Sequence, residues 1–138
     1  MGDWKALESF TFGGGEDKAL ADDLLARVLA GVKTATCWST ADGQITEIGK
    51  RMVALDSAGN PRAVIETVEL FQQRYDLVDW AFARDEGEND DLEGWRRDHR
   101  DWLESRGQFA PDVMLWCERF KLVEIIPAPA GAPELPRI

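Results

Sequence analysis

Apolar side chains in the first third of the chain recur at helical spacing. In KALADDLLARVLAGVKT, Leu20, Leu24 and Val28 stand four residues apart beside Ala21, Leu25 and Leu29, the stripe by which a helix buries one face. Gly31 ends the pattern, and the spacing predicts a first helix over about Asp17–Ala30. The next residues, KTATCWS, are rich in β-branched and small side chains. ADGQITEIGKRMVALDSAGNPRAVIETVEL reads as a loop, a strand near Arg51–Asp56, a Gly-Asn-Pro turn and a returning strand near Ala63–Leu70, which makes a β-hairpin.

Helical spacing returns in DLVDWAFARDEGENDDLEGWRRDHRDWLESRG, where Leu92, Trp95, His99 and Trp102 fall on one side. Asp90 with Glu93 forms a candidate capping pair, and Gly107 a stop. DVMLWCERFKLVEII then reads as a long strand. Leu115, Cys117 and Arg119 share one face and Trp116, Glu118 and Phe120 the other, so each face carries one ion in an apolar setting. PAPAGAPELPRI has no core pattern and is expected to be extended, weakly ordered or laid over the surface. The order of elements predicts an α+β fold with a small mixed or closed sheet: one domain over residues 1–126 and a Pro/Ala-rich tail over 127–138.

Composition narrows the function classes. The 138 residues include six tryptophans and 44% hydrophobic residues, enough for one buried core. No apolar run approaches the roughly 18 residues a membrane helix needs, and the start lacks a signal-peptide pattern, so a soluble cytoplasmic protein is expected. The two cysteines, Cys37 and Cys117, fit neither a zinc cage nor a disulfide framework and are expected to be buried thiols. A net charge of -10 repels phosphates at long range, so any RNA site must be a confined patch.

Several residues could carry chemistry. Lys33 lies two residues past Gly31, where a surface lysine completes the helix dipole; that is the simpler reading of its spacing. The functional one has it act as a base on Thr36, which becomes the nucleophile. The acidic run Ala83–Asp91 reads as a solvated loop with a helix cap, and it fails the EF-hand template. Arg96, Arg97 and Arg100 are matched by Asp98, Asp101 and Glu104 on their own helix. Arg119, on an apolar strand face, calls for an acidic partner or an anionic ligand. His99, the single histidine, reads as a packed, hydrogen-bonded residue at the core edge, and spacing does not bring it to either cysteine. Gly13–Glu16 is a flexible turn or a set of N–H groups for an anion.

The pieces in order resemble the ASCH family of PUA-like domains. The resemblance rests on GVKTAT, which fits a G-x-K-x-x-T motif after the first helix, on EIGKRMVALD, AVIETVEL, the FARDEGENDDLEGW insertion and CERFKLVE. It is similar to the bacterial stand-alone subgroup and implies a small β-barrel surrounded by helices, with the motif lysine pointing into a cleft. For the family, RNA binding has been proposed, and ribonuclease activity is attributed to some bacterial members. A shorter subgroup hydrolyses N4-acetylcytidine with the motif lysine and threonine and a glutamate beyond the hairpin. Carried onto this chain these are Lys33, Thr36 and Glu86, with Glu88 as a competitor for the third place.

The resemblance thus implies three readings. The first is a protein that binds and processes single-stranded RNA with Lys33, Trp38, Lys50 and Arg119, Trp38 or Tyr75 stacking on a base. The second is an N4-acylcytidine amidohydrolase using Lys33, Thr36 and Glu86. The third is a non-catalytic nucleotide or RNA sensor. RNA cleavage needs a charged Lys33; amide hydrolysis needs a neutral one. No cofactor is required, a divalent ion such as Mg²⁺ is compatible, and no membrane partner is expected.

Overall fold

A computed structural model describes residues 4–138. The first helix, α1, spans Lys18–Leu29, and the Asp17 side chain accepts a hydrogen bond from the Leu20 N–H at 3.1 Å to cap it. The predicted stripe is the buried one: Ala21, Leu24, Leu25 and Val28 face inward. Two further helices, α2 at Trp80–Glu86 and α3 at Leu92–Ser105, come from the segment read as helical. Asp91, not Asp90, caps α3 by accepting from the Gly94 N–H at 2.8 Å. With the start one residue later, Glu93 sits too early in the first turn to complete the expected pair.

Five strands form one sheet: β1 (Ser9–Phe10), β2 (Ala35–Ser39), β3 (Arg51–Leu55), β4 (Pro61–Arg74) and β5 (Met114–Ile125), in the order β1-β3-β4-β5-β2. β1 runs parallel to β3, and the other pairs are antiparallel. The expected hairpin is β3–β4. Its returning strand continues past Leu70 to Arg74 because Phe71–Arg74 pair with Met114–Cys117 of β5. Register shifts at Val64/Ile65 and Thr67/Glu69 bend this central ladder.

The fold is α+β as expected, but the sheet is open and the implied barrel does not close. Among the described residues no ladder joins the edge strands β1 and β2. β1, two residues long, offers too few groups to carry pairing around. Helices cover the faces instead. α1 packs through Leu24, Leu25 and Val28 on Ala54, Ala63, Ile65 and Phe120. Phe82 and Ala83 of α2, with Trp95 and Leu103 of α3, enclose Ala35, Cys37, Leu115 and Cys117. Beyond β5 the chain has no helix or strand, and Leu135 of the tail lies against the α1 cluster. Among the described residues no helix is long and apolar enough to cross a membrane.

Candidate functional site

A reversal of the chain just after α1 turns Lys33 into the molecule. Gly31 takes φ 78°, a left-handed conformation that suits a residue without Cβ. The N–H groups of Val32 and Lys33 then both donate to the Arg27 carbonyl, at 2.9 and 3.1 Å, and the direction reverses. The end of α2 clamps this reversal. Thr34 donates its N–H to the Asp85 carbonyl at 2.8 Å, and the Arg27 guanidinium reaches the Gly87 carbonyl at 2.8 Å. A Cβ on Gly87 would lie 2.4 Å from the Val32 oxygen, so glycine is what permits this approach.

The surface reading of Lys33 is therefore overturned: the residue is 1% exposed. Its ammonium donates to the Ala35 carbonyl at 2.7 Å and to Glu88 Oε2 at 2.8 Å, with Glu86 Oε1 at 3.5 Å. Burial pulls the ammonium pKa down, but Glu88 and then Glu86 outweigh it and hold Lys33 above its ordinary value. The resting lysine is charged.

Glu86, also buried, joins this cation to α3. Its Oε2 accepts from the Trp95 indole N–H at 2.8 Å, and its Oε1 lies 3.4 Å from His99 Nε2. The His99 ring stacks on Trp95, and its Nδ1 lies 2.9 Å from the Trp95 carbonyl, which can only accept, so Nδ1 is the donor. Burial opposes ionisation of Glu86, yet His99 and Lys33 hold its carboxyl at about 2. Burial likewise opposes charge on His99, and Glu86 outweighs it to raise the imidazole pKa. His99 is the packed residue expected, but it also lines the central cavity.

The fold brings Cys37 to this histidine, which spacing did not. One ligand atom from each of Cys37, Glu86 and His99 lies within 4.8 Å of the others. Sulfur, nitrogen and one carboxylate oxygen suit a borderline-soft ion better than Mg²⁺. Both Glu86 oxygens are already engaged, and burial, then Glu86, pushes the Cys37 thiol well up, so the cluster stands as a satisfied hydrogen-bonded network.

These groups open on a cavity of 510 Å³. α1 contributes Leu24 and Arg27, the Phe12–Gly15 turn contributes Phe12, and the sheet contributes Thr36, Trp38, Met52, Ile65, Thr67 and Glu118. Lys33, Thr36, Trp38, Lys50, Glu86 and Glu88 thus share one space. Trp38 is anchored there by its indole N–H, which donates to the Gly43 carbonyl at 2.8 Å, and Lys50 meets Glu8 at 3.2 Å. The lining is acidic: Asp23, Asp42, Asp98, Asp101, Glu86, Glu88 and Glu118 face Arg27, Lys33, Lys50 and Arg106.

Two expected site residues lie elsewhere. Arg119 lines a separate space of 100 Å³ and finds acidic partners, Asp85 at 3.1 Å and Glu69 at 2.8 Å, so the pairing of Arg119 with Lys33 around one ligand does not exist. Tyr75 is a core residue, stacked on Trp95 with its hydroxyl donating to the Arg96 carbonyl at 2.5 Å. Sequence reasoning also missed a group. Glu118, 6% exposed, accepts from the Thr67 hydroxyl at 2.7 Å, which meets the Thr46 hydroxyl at 2.7 Å. Its signal was a lone carboxylate between Trp116 and Phe120 on a strand face.

A family model described as the ASCH domain matches residues 8–124. The chain belongs to the ASCH domain family. The order of motifs along the sequence therefore identified the family correctly. ASCH domains are associated with RNA binding. This ASCH domain is similar in structure to protein EF3133 from Enterococcus faecalis, described as a DUF984 protein: TM-score 0.75, 29% identity, covering 86% of this chain and 77% of that one. It is also similar to an ASCH domain from Lactobacillus crispatus, with TM-score 0.73 and 27% identity over 83% of this chain and 78% of the other. No curated protein matches it significantly.

Proposed function

We propose that the cavity binds an uncharged, nucleoside-type ligand and hydrolyses an acyl amide on it, with Thr36 as nucleophile. The observation that carries this reading is the charge match at Lys33: one buried ammonium faces two carboxylates, Glu86 and Glu88. A phosphate brought to that lysine meets both anions, whereas a neutral heterocycle adds no further charge to the set. The volume lies within the usual range for a small-molecule site.

The ion pair supplies the base in two steps. A ligand filling the cavity excludes water, and low dielectric favours a neutral amine and carboxylic acid over two buried ions. The 2.8 Å bond between Lys33 and Glu88 is the path for that proton, which gives Glu88 the stronger claim to the glutamate role and leaves Glu86 holding the cluster to α3. Neutral Lys33 then accepts the Thr36 proton as the hydroxyl attacks the acyl carbon. The carbon–nitrogen bond breaks, the amine leaves with a proton, and water releases the acid from the Thr36 ester.

A second reading, capture of one base of a single-stranded RNA, is supported by the family's association with RNA binding and by the part-exposed cations Arg27, Lys50 and Arg106 on the lining. The two are separated by presenting the protein with N4-acetylcytidine, related N-acyl nucleosides and short RNA, and by following acid release and strand cleavage. Turnover of the nucleosides that disappears in Thr36→Val supports the hydrolase. Thr36 makes no side-chain hydrogen bond among the described residues, so this variant tests chemistry with little effect on folding. Saturable nucleoside binding without turnover indicates a sensor. Salt-sensitive binding that grows with strand length indicates RNA.

A further inference from the structure

Glu118 is a buried carboxyl on the cavity wall that the chemistry above leaves without a role. Only half of it is satisfied: Oε2 accepts from Thr67, while Oε1 takes no hydrogen bond among the described residues and is not sealed from the cavity that Glu118 lines. Thr46 backs Thr67, so the side chain is held by a chain of two buried hydroxyls rather than by a cation. Its place on the sheet is defined by Thr36, which pairs with it directly across the β2–β5 ladder. Directly opposed residues put their side chains on the same face, with Cβ atoms about 4.5–5.5 Å apart. A carboxyl oxygen in need of a partner thus stands beside the proposed nucleophile.

We infer that Glu118 is the proton donor to the leaving group: its free oxygen protonates the ring nitrogen next to the scissile amide of an N-acylated aminoheterocycle. The inference rests on the amide-hydrolase reading and names its substrate class. An exocyclic amide nitrogen is a poor leaving group as an anion; protonation of the adjacent ring nitrogen lets the heterocycle depart neutral. When the tetrahedral adduct collapses, the electrons of the carbon–nitrogen bond pass into the amidine system and the ring nitrogen takes the Glu118 proton. The heterocycle leaves as its imino tautomer, the acyl group remains on Thr36, and Glu118 is a carboxylate. In the second half Glu118 takes a proton from the attacking water, the hydroxide adds to the ester, and Lys33 returns its proton to Thr36. The sum is amide plus water giving acid plus amine, with every side chain restored. Burial favours the protonated start, raising the Glu118 carboxyl against the opposing pull of Thr67 and Lys33.

The test compares leaving groups. Glu118→Gln keeps the shape and the Thr67 bond but carries no acidic proton, so kcat on N4-acetylcytidine should fall by about 10²-fold or more with KM little changed. The first-turnover burst of 4-nitrophenolate from 4-nitrophenyl acetate, whose phenolate departs without a proton, should persist, while later turnovers slow because Glu118 also activates the water that releases the acetyl group from Thr36. Thr67→Val provides a second variant, which keeps the acid but loosens its hold and should show the same leaving-group dependence to a smaller degree. Equal loss of first-turnover leaving-group release from both substrates, or no loss on the amide, overturns the role of Glu118 while leaving the hydrolase reading intact. Failure of the unmodified protein to turn over any N-acyl heterocycle overturns both.

Discussion

Replacing Gly87 by alanine should loosen the site without touching an ionisable group. The new Cβ would lie 2.4 Å from the Val32 oxygen, 2.8 Å from the Val32 carbonyl carbon and 3.0 Å from the Lys33 nitrogen. All three are backbone atoms, so no side chain can swing away. Gly87 also sits at φ 74°, where an L-residue costs about 1–2 kcal/mol. Forcing the two segments apart costs a further ~1–3 kcal/mol. The total of about 2–5 kcal/mol corresponds, at a slope of about 2 kcal/mol per molar urea, to a midpoint lower by roughly 1–2.5 M. The same displacement strains the bonds from Arg27 to Gly87 and from Thr34 to Asp85, and it shifts Glu86 and Glu88 relative to Lys33. A misplacement of about 1 Å lowers turnover by roughly 10²-fold. Urea melts followed by tryptophan fluorescence and initial rates on N4-acetylcytidine measure both effects. A variant with the parent midpoint and rate would refute the clamp.

Lys33→Ala should abolish turnover and also lower stability by about 3–5 kcal/mol, because it leaves Glu86 and Glu88 without the ammonium between them; adding Glu88→Gln should restore part of the stability and none of the activity. Arg119→Met should retain the rate on N4-acetylcytidine, since Arg119 lies outside the cavity, and cost at most about 1 kcal/mol in a urea melt because its pairs with Asp85 and Glu69 are part-exposed. Asp56 should contribute to acid sensitivity: burial alone raises its carboxyl, but bonds from Asn60, Arg62 and Ala58 outweigh this and lower it. A carboxyl lowered in the fold contributes stability that is present above the ordinary carboxylate range of about 4 and lost as pH falls through the folded value, so Asp56→Asn should flatten the stability profile on that acid side.

The helices and the hairpin were legible because each arises from local periodicity. The Leu20–Val28 stripe and the Gly31 stop give α1 to within a residue at each end, and alternation around the Gly-Asn-Pro turn gives β3 and the start of β4. What was not legible depended on pairing between distant segments. The length of β4 is fixed by β5, some 40 residues on, and the openness of the sheet by how short β1 is. The site obeyed the same division. Lys33 stood out through a motif, but its burial comes from the end of α2, and no local pattern near residue 33 announces that Gly87 will reach it. Glu118 and Arg119 show the converse. Each was read as an ion in an apolar setting, but only the fold sends Glu118 into the cavity and Arg119 to the opposite face with Asp85 and Glu69.

That division of ions between the two faces decides what the cavity can hold. A unit negative charge about 4 Å from Lys33 gains roughly 4 kcal/mol at an effective dielectric of 20, but two carboxylates about 6 Å away together cost about 5–6 kcal/mol. With Arg119 on the other face, the cations left to offset this are Arg27, Lys50 and Arg106, and each is itself paired with an acid: Asp23, Glu8 and Asp42. Phosphate recognition deep in the site would need several of these pairs to break together. A ligand that brings a heterocycle inward and keeps any phosphate outside avoids that cost and meets the Thr36 hydroxyl and the free oxygen of Glu118, which take no hydrogen bond among the described residues. The proposed amide hydrolysis and the family's association with RNA binding would be compatible in one arrangement, in which a strand presents a single flipped base to the cavity and its phosphates stay outside, near Arg27, Lys50 and Arg106.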